Sequence, residues 1–347
     1  MVTTEPAAST ESTPPAESTP SAESARPAGP PPFDPELGAA LTIIREAVQL
    51  DLTVETIPER RRPNPLFPPP SDQELSLGGA FEVSERQVPG PDGAPDISLL
   101  IARPVGLAAP GPAIYHIHGG GMIMGDNRQG LPMVIGWAAQ LGAAVVSVEY
   151  RLAPETPHPG PVEDCYAGLV WTAAHADELN IDPGRIVVAG GSAGGGLAAA
   201  VALLARDRGG PALFGQFLMC PMLDDRNDTP SAVQMAGLGV WDHASNEVGW
   251  TALLGDQRGA LDVSPYAAPA RATDLSGLPP TFIDVGSAET FRDEAVSYAT
   301  RIWQAGGVAE LHVWPGGFHG FQVMVPQAAV SQDATAAQWD WFRRLLA

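Results

Sequence analysis

From about residue 113 onward, short apolar runs alternate with stretches of helical periodicity, and few architectures accommodate that rhythm. Strands are expected near 113–117, 144–149, 186–190, 216–220, 281–285 and 310–314. Helices are expected near 131–141, 162–179, 193–207, 291–305 and 328–346. Apolar runs this short, joined through helices, build a parallel sheet from crossover units with helices packed on its faces. Upstream, alternating strands at 81–88 and 97–104 flank the turn Pro89-Gly90-Pro91-Asp92-Gly93 and read as a hairpin. The alternation breaks once, from about 224 to 279. That stretch is too long for a plain connection and holds its own helix around Asn246–Leu254, closed by Gly255, so it is expected to lie over the active site as an insertion.

The first 32 residues are almost wholly Thr, Ser, Pro, Glu and Ala, with Glu-Ser-Thr-Pro at 11–14 repeated at 17–20. Such a segment has too little apolar surface to offset the entropy of ordering it, and a disordered tail is expected. A cap segment at 33–80 and a catalytic domain at 81–347 follow. Within the cap segment, Leu37, Leu41, Ile44, Val48 and Leu52 recur at helical spacing behind Asp34, an N-cap residue followed by Pro35. This predicts an amphipathic helix over 35–52.

Two glycine-rich stretches sit where strands end. Gly190-Gly191-Ser192-Ala193-Gly194 fits Gly-x-Ser-x-Gly between the 186–190 strand and a helix of small residues. In that setting small flanking residues let the chain turn sharply and hold the serine oxygen clear of the backbone. His118-Gly119-Gly120-Gly121 follows the 113–117 strand, so the amides of Gly120, Gly121 and Ala193 are placed to meet a developing oxyanion. The serine needs a base, which in this architecture lies after the last strand, and His319 in Gly316-Gly317-Phe318-His319-Gly320 is in that place. Of the other histidines, His116 and His312 fall within strands, His175 on a helix, His158 in a Pro-rich loop and His243 in the insertion. His118 is expected to hold the shape of the glycine loop. A carboxylate must orient the imidazole from the end of the preceding strand, and Glu289, Asp293 and Glu294 are the candidates. Glu289 is best placed, because the other two fall in the first turn of the next helix, where acids are favoured by the helix dipole alone.

Composition narrows the partners. A chain of 347 residues with 44% hydrophobic content can bury a large core. Its formal charge of -21 opposes binding to phosphate backbones or anionic lipid, so no nucleic-acid partner and no membrane insertion are expected. Cys165 and Cys220 are the two cysteines, too few for a disulfide framework, and no His/Cys cluster has metal-ligand spacing. Neither a metal nor a cofactor is expected. The start of the chain has no basic region followed by an apolar run, and cytoplasmic localisation is the expectation.

The His-Gly-Gly-Gly loop, Tyr150-Arg151-Leu152-Ala153-Pro154-Glu155, the Ser-Ala-Gly-Gly elbow at 192–195, Arg292-Asp293-Glu294 and Phe318-His319-Gly320-Phe321 together resemble the hormone-sensitive lipase family, the bacterial family IV carboxylesterases. The similarity runs from about residue 80 to the end. It implies an α/β-hydrolase fold with a mostly parallel eight-stranded sheet flanked by helices. It also implies a helical cap made from the N-terminal segment plus an insertion after strand 6, and hydrolysis of carboxylic esters. Three positions depart from the family pattern: Gly191 before the nucleophile, Met122 after the glycine loop, and Glu289 where most members have Asp. The Tyr150–Glu155 run reads as structural, with Arg151 tied to a nearby carboxylate.

The expected chemistry is attack of Ser192 on an ester carbonyl, with His319 as base and then acid. Met122, Met222, Leu223, Trp241, Trp250, Phe291 and Phe318, with Met124 and Leu238, are the candidate pocket walls, and such walls suit short to medium acyl chains. Two alternatives share much of this sequence signal: the same triad acting on a lactone, carbamate or amide, and a non-catalytic ligand-binding member of the fold. Members of the resembled family often pair through an edge strand, so the resemblance leaves a homodimer open as one assembly, with the oligomeric state not fixed by the sequence.

Overall fold

The structure is a computed structural model that describes residues 1–3, 29–47, 52–62 and 68–346. Most of the expected low-complexity tail therefore lies outside the described residues. Eight strands form one sheet: β1 (Phe81–Val88), β2 (Ile97–Pro104), β3 (Gly111–Ile117), β4 (Ala144–Glu149), β5 (Ile181–Gly191), β6 (Gly215–Met219), β7 (Thr281–Gly286) and β8 (Ala309–Trp314). Their spatial order is β1-β2-β4-β3-β5-β6-β7-β8. β2 runs antiparallel to both of its neighbours, and every other pair is parallel. All eight coincide with the strands read from the sequence; β3 and β5 begin earlier, because Gly111 pairs with Ile181 ahead of the apolar runs.

The order places a switch point between β3 and β5. From β3 the chain crosses to β4 on one side, and from β4 it crosses to β5 on the other. Crossovers of one hand then set the intervening helices on opposite faces of the sheet. The Leu131–Leu141 helix packs with the Ala329–Leu346 helix on one face, around Val134, Trp137, Phe217, Phe282 and Phe342. On the other face the Gly160–Ala174, Ala193–Arg208 and Arg292–Gln304 helices bury Leu169, Val201, Leu204, Tyr298 and Ile302. The loops that leave β3 and β5 diverge, and a crevice opens at the carboxyl ends of the strands.

The expected 162–179 helix is two helices, Gly160–Ala174 and Ala176–Leu179, joined at His175, whose φ of -110° and ψ of 23° leave the helical region. The insertion helix begins at His243, before the expected Asn246, because Asp242 caps it by accepting from the Ser245 amide at 2.9 Å. The N-terminal helix spans Pro35–Ala47, capped as expected by Asp34, which accepts from the Glu36 and Leu37 amides. Residues 48–51 of its expected extent lie outside the described residues. Leu37 and Leu41 of this helix pack with Phe318 and Phe321, and the Asp34 amide donates to the Gly316 carbonyl at 3.1 Å. The helix is thereby fastened to the loop that carries His319.

Candidate active site

Ser192 stands between the end of β5 and the Ala193–Arg208 helix, with φ 59° and ψ -124°. That conformation is costly for a residue with a Cβ, and it is held because the Ser192 amide donates to the Met219 carbonyl at 2.8 Å and its own carbonyl accepts from Met222 and Gly196. The turn is tight enough to require glycine on both sides. A Cβ on Gly190 would lie 2.2 Å from the Gly194 carbonyl oxygen, and one on Gly194 would lie 2.1 Å from that of Ile117. The spacing of the motif is thus a steric condition for bringing strand and helix together.

His319 places Nε2 2.9 Å from Ser192 Oγ and Nδ1 3.1 Å from Glu289 Oε1. Glu289 is 2% exposed, and its second oxygen accepts from the Gly286 amide at 3.1 Å. The longer glutamate side chain is accommodated because it folds back on the end of its own strand. Phe291 packs edge-on against the imidazole, with ring centres 5.1 Å apart. The loops of Glu289 and His319 are tied together by the Ala288 amide donating to the Gly317 carbonyl. The other two acids are engaged elsewhere. Asp293 accepts from the Ser231 amide and the Arg292 guanidinium, and Glu294 accepts from the Leu223 amide at 2.6 Å. Burial raises the Glu294 carboxyl well above the ordinary range.

On the other side of Ser192, the amides of Gly120, Gly121 and Ala193 donate to no acceptor among the described residues. Gly120 has φ 108°, and a Cβ there would lie 2.1 Å from the Met124 carbonyl oxygen, so the loop can close only on glycine. His118 stacks on Tyr150 at 4.1 Å and its Nδ1 meets the Gly119 carbonyl at 2.8 Å, while the Tyr150 hydroxyl donates to the His118 carbonyl. Burial lowers the His118 pKa to about 4, so the ring is a neutral strut for the loop. Arg151 makes a forked pair with the fully buried Asp164, at 2.8 and 2.7 Å, away from Ser192. Glu155 is paired with Arg61, whose guanidinium also donates to the carbonyls of Ile123 and Ala153.

A cavity of about 310 Å³ borders Gly119, Gly120, Gly121, Ser192 and His319. Of the seven principal wall candidates, Trp241 faces it, and so does Met124. Trp241 lies over the glycine loop, its ring 2.3 Å from where a Cβ on Gly121 would stand. Met122, Met222, Leu223, Trp250, Phe291 and Phe318 are fully buried and do not border the cavity. The first five pack into the core beside the Ala193–Arg208 helix, and Phe318 packs against Leu37 and Leu41. Apolar character near a motif shows that a side chain leaves water; it does not distinguish core from cavity. Leu238 does not border the cavity either. The walls include residues the sequence does not signal: Ile44, Val240 and Met324 toward the outside, and Met133, Trp137 and Phe217 deeper in.

Cys220, Glu289 and His319 bring possible ligand atoms within 4.8 Å of one another. Burial pushes the Cys220 thiol well above its ordinary range, the opposite of what a metal thiolate needs, and the other two are already joined in the contact chain to Ser192. Among the described residues no helix is long and apolar enough to cross a membrane. The geometry suits acyl transfer: a hydroxyl within hydrogen-bond reach of an imidazole nitrogen, with amide donors converging from the facing loop.

A family model described as alpha/beta hydrolase fold matches residues 114–323. Carboxylesterase NlhH of Mycobacterium tuberculosis (strain ATCC 25618 / H37Rv) is 38% identical over 258 residues, 72% of this chain and 79% of its own length. Esterase LipI of the same strain is 32% identical over 309 residues, 86% of this chain and 91% of its own. Among solved structures, a bacterial heroin esterase is similar with a TM-score of 0.80 and 41% identity, covering 91% of this chain and 98% of that one.

Proposed function

The chain belongs to the α/β-hydrolase family, in its hormone-sensitive-lipase branch, and on that premise we propose that Ser192, His319 and Glu289 are the catalytic triad of this carboxylic ester hydrolase. The observation that carries the assignment is the unbroken contact chain from Glu289 through His319 to Ser192, at 3.1 and 2.9 Å. Ser192 attacks the ester carbonyl as His319 Nε2 takes its proton. The amides of Gly120, Gly121 and Ala193 hold the oxyanion, which they can do without first breaking other bonds. His319 then protonates the departing alcohol, and water repeats the sequence on the acyl-enzyme. Glu289 holds Nδ1 protonated and faces the imidazolium as it forms.

The cavity is near the small end of the range for ligand sites and largely apolar, which supports short to medium acyl chains. The N-terminal helix and the 224–279 insertion form the cap over it, with Ile44 and Val240 contributing one wall. The protein acts in the cytoplasm, in keeping with its two free, buried cysteines, and assembles as a homodimer. Replacing Ser192 with Ala should lower turnover of p-nitrophenyl butyrate by roughly 10⁴ to 10⁶ with melting temperature nearly unchanged; retained turnover removes the nucleophile assignment. Across p-nitrophenyl esters from acetate to palmitate, kcat/KM should peak at or below octanoate, and a maximum at palmitate overturns the chain-length reading.

A further inference from the structure

We infer that His116 forms a hydroxyl-recognising subsite at the inner end of the acyl channel, so that the preferred esters carry a hydroxyl far along the acyl chain. The inference rests on the esterase reading above and names the substrate class for that same site. The cavity does not stop at Ser192. It continues inward past Gly191, Gly190 and Ala189 to the side chain of His116 on β3. His116 lies directly across from Ala189 in the sheet register. The surrounding wall, made by Met133, Val134, Trp137, Phe217 and Met219, is apolar.

His116 is 6% exposed, and its Nδ1 is 2.9 Å from the hydroxyl of the fully buried Ser147. Its Nε2 has no partner among the described residues, yet it is not sealed, unlike His118 Nε2, which is wholly enclosed. The approach stays open because residue 130 is glycine: a Cβ there would stand 3.6 Å from His116 Nε2, in the space a ligand atom would use. A buried, unpartnered ring nitrogen on an apolar cavity wall is a demand for a hydrogen-bonding group on the ligand.

The chemistry of that group follows from the surroundings. Burial drives the His116 pKa down to about 3, so the ring is neutral at working pH. A charged substituent would pay desolvation against the apolar wall with no counter-charge to meet it. The Ser147 hydroxyl can donate to Nδ1 or accept from it, so Nε2 is free to be donor or acceptor. A hydroxyl satisfies both forms, whereas an ether or carbonyl oxygen satisfies one.

Sheet order identifies the arm of the ester. His319 comes from the loop after β8 and must reach the departing alcohol oxygen, so the alcohol lies on the β8 side of Ser192. His116 lies on the opposite side, on β3, where the acyl arm points. Ala189 precedes Ser192 by three residues, so strand rise puts the subsite roughly 10 Å below the nucleophile, the reach of an acyl chain of roughly six carbons.

The test compares kcat/KM for p-nitrophenyl ω-hydroxyhexanoate and p-nitrophenyl hexanoate. In the wild type the hydroxy ester should equal or exceed the plain one. In the double variant His116→Leu/Ser147→Ala, which removes the imidazole without orphaning the serine hydroxyl, the ratio should fall roughly tenfold or more. An unmoved ratio overturns the inference, and hexanoate turnover in the same variant reports whether the fold survives. A second comparison needs no variant: in the wild type, the β-hydroxyhexanoate should fall well below the ω-hydroxy ester, and equal rates overturn the subsite. A hydroxyl preference seen with ω-hydroxyhexyl butyrate over hexyl butyrate, and not on the acyl side, also overturns it. Failure of the wild type to cleave any of these esters instead removes the esterase reading beneath.

Discussion

Glu289 is pinned at both oxygens, one by His319 Nδ1 and the other by the Gly286 amide, and this makes its conservative variant informative. In Glu289→Gln the Gly286 N–H still requires an acceptor, so the carboxamide oxygen stays there and its NH₂ turns to His319. Nδ1 must then accept, the ring proton moves to Nε2, and the nitrogen facing Ser192 can no longer take a proton. Turnover of p-nitrophenyl butyrate should fall by about 10³ to 10⁴ with little change in KM. Asp293→Asn, whose parent carboxylate serves Ser231 and Arg292, should cost less than about tenfold, and equal losses would transfer the role. A second buried acid governs stability instead. Asp284 accepts from Gln338 and Trp314 through one oxygen, while the other has no partner and is enclosed. Burial raises its pKa to about 7, with Glu289 adding to the shift and His312 opposing it. The folded value lies above the unfolded one, so its protonated form stabilises the fold in acid, and that stability is lost as pH rises from about 4 to about 7. Asp284→Asn should melt several degrees higher than wild type at pH 8 and equally near pH 4, by thermal-shift assay. Half-buried Glu149 and buried Glu294 are raised as well, so part of the wild-type pH slope should remain.

Between elements, the informative contact joins the Pro35–Ala47 helix to the insertion. Arg45 donates to the carbonyls of Gly239 and Gly237, at 3.1 and 2.9 Å, and the adjacent Ile44 borders the cavity together with Val240. The outer wall of the site is thus assembled from segments almost two hundred residues apart, joined by this guanidinium and by the apolar cluster that takes in Leu37, Leu41, Ile44 and Val240. Arg45→Ala should raise KM for p-nitrophenyl octanoate by roughly three- to tenfold and leave kcat within about twofold, because Arg45 contacts the insertion, while the other end of the helix, at Asp34, Leu37 and Leu41, holds the His319 loop. A fall in kcat at unchanged KM would place Arg45 in a different role. Strands β3, β4, β6 and β7 were legible because parallel strands buried on both faces read as continuous apolar runs. The helix break at His175 was not, since local periodicity continues through it.

For the whole molecule, the sheet leaves two edges. β1 carries Glu82, Ser84, Glu85 and Arg86 and is poorly suited to pairing, whereas the β8 side exposes Trp303, Val308 and Val313. A homodimer paired across β8 would cover those side chains. Light scattering coupled to gel filtration should find twice the chain mass for the wild type and the monomer mass for Val313→Lys. A monomeric wild type removes the proposal. The surplus of acids over arginines gives a formal charge of -21, which opposes the approach of anionic polymers.

Ser192, His319 and Glu289 could be named from the sequence because each sits where a strand ends, and the order of strands dictates which loops share a rim. The elbow and the glycine loop were equally legible, since their glycines answer contacts within the backbone itself, which do not depend on distant packing. Which apolar side chains wall the cavity was decided by tertiary structure alone. Met122, Trp250 and Phe318 went into the core, and Trp137 and Phe217, unremarkable in sequence, came to border the cavity. Hydrophobicity states only that a side chain leaves water, and whether it meets another side chain or an open channel depends on how the helices on each face are seated. His116 shows the same division: its place on a strand was readable, but its free nitrogen exists only because Ser147 takes the other one and Gly130 leaves room.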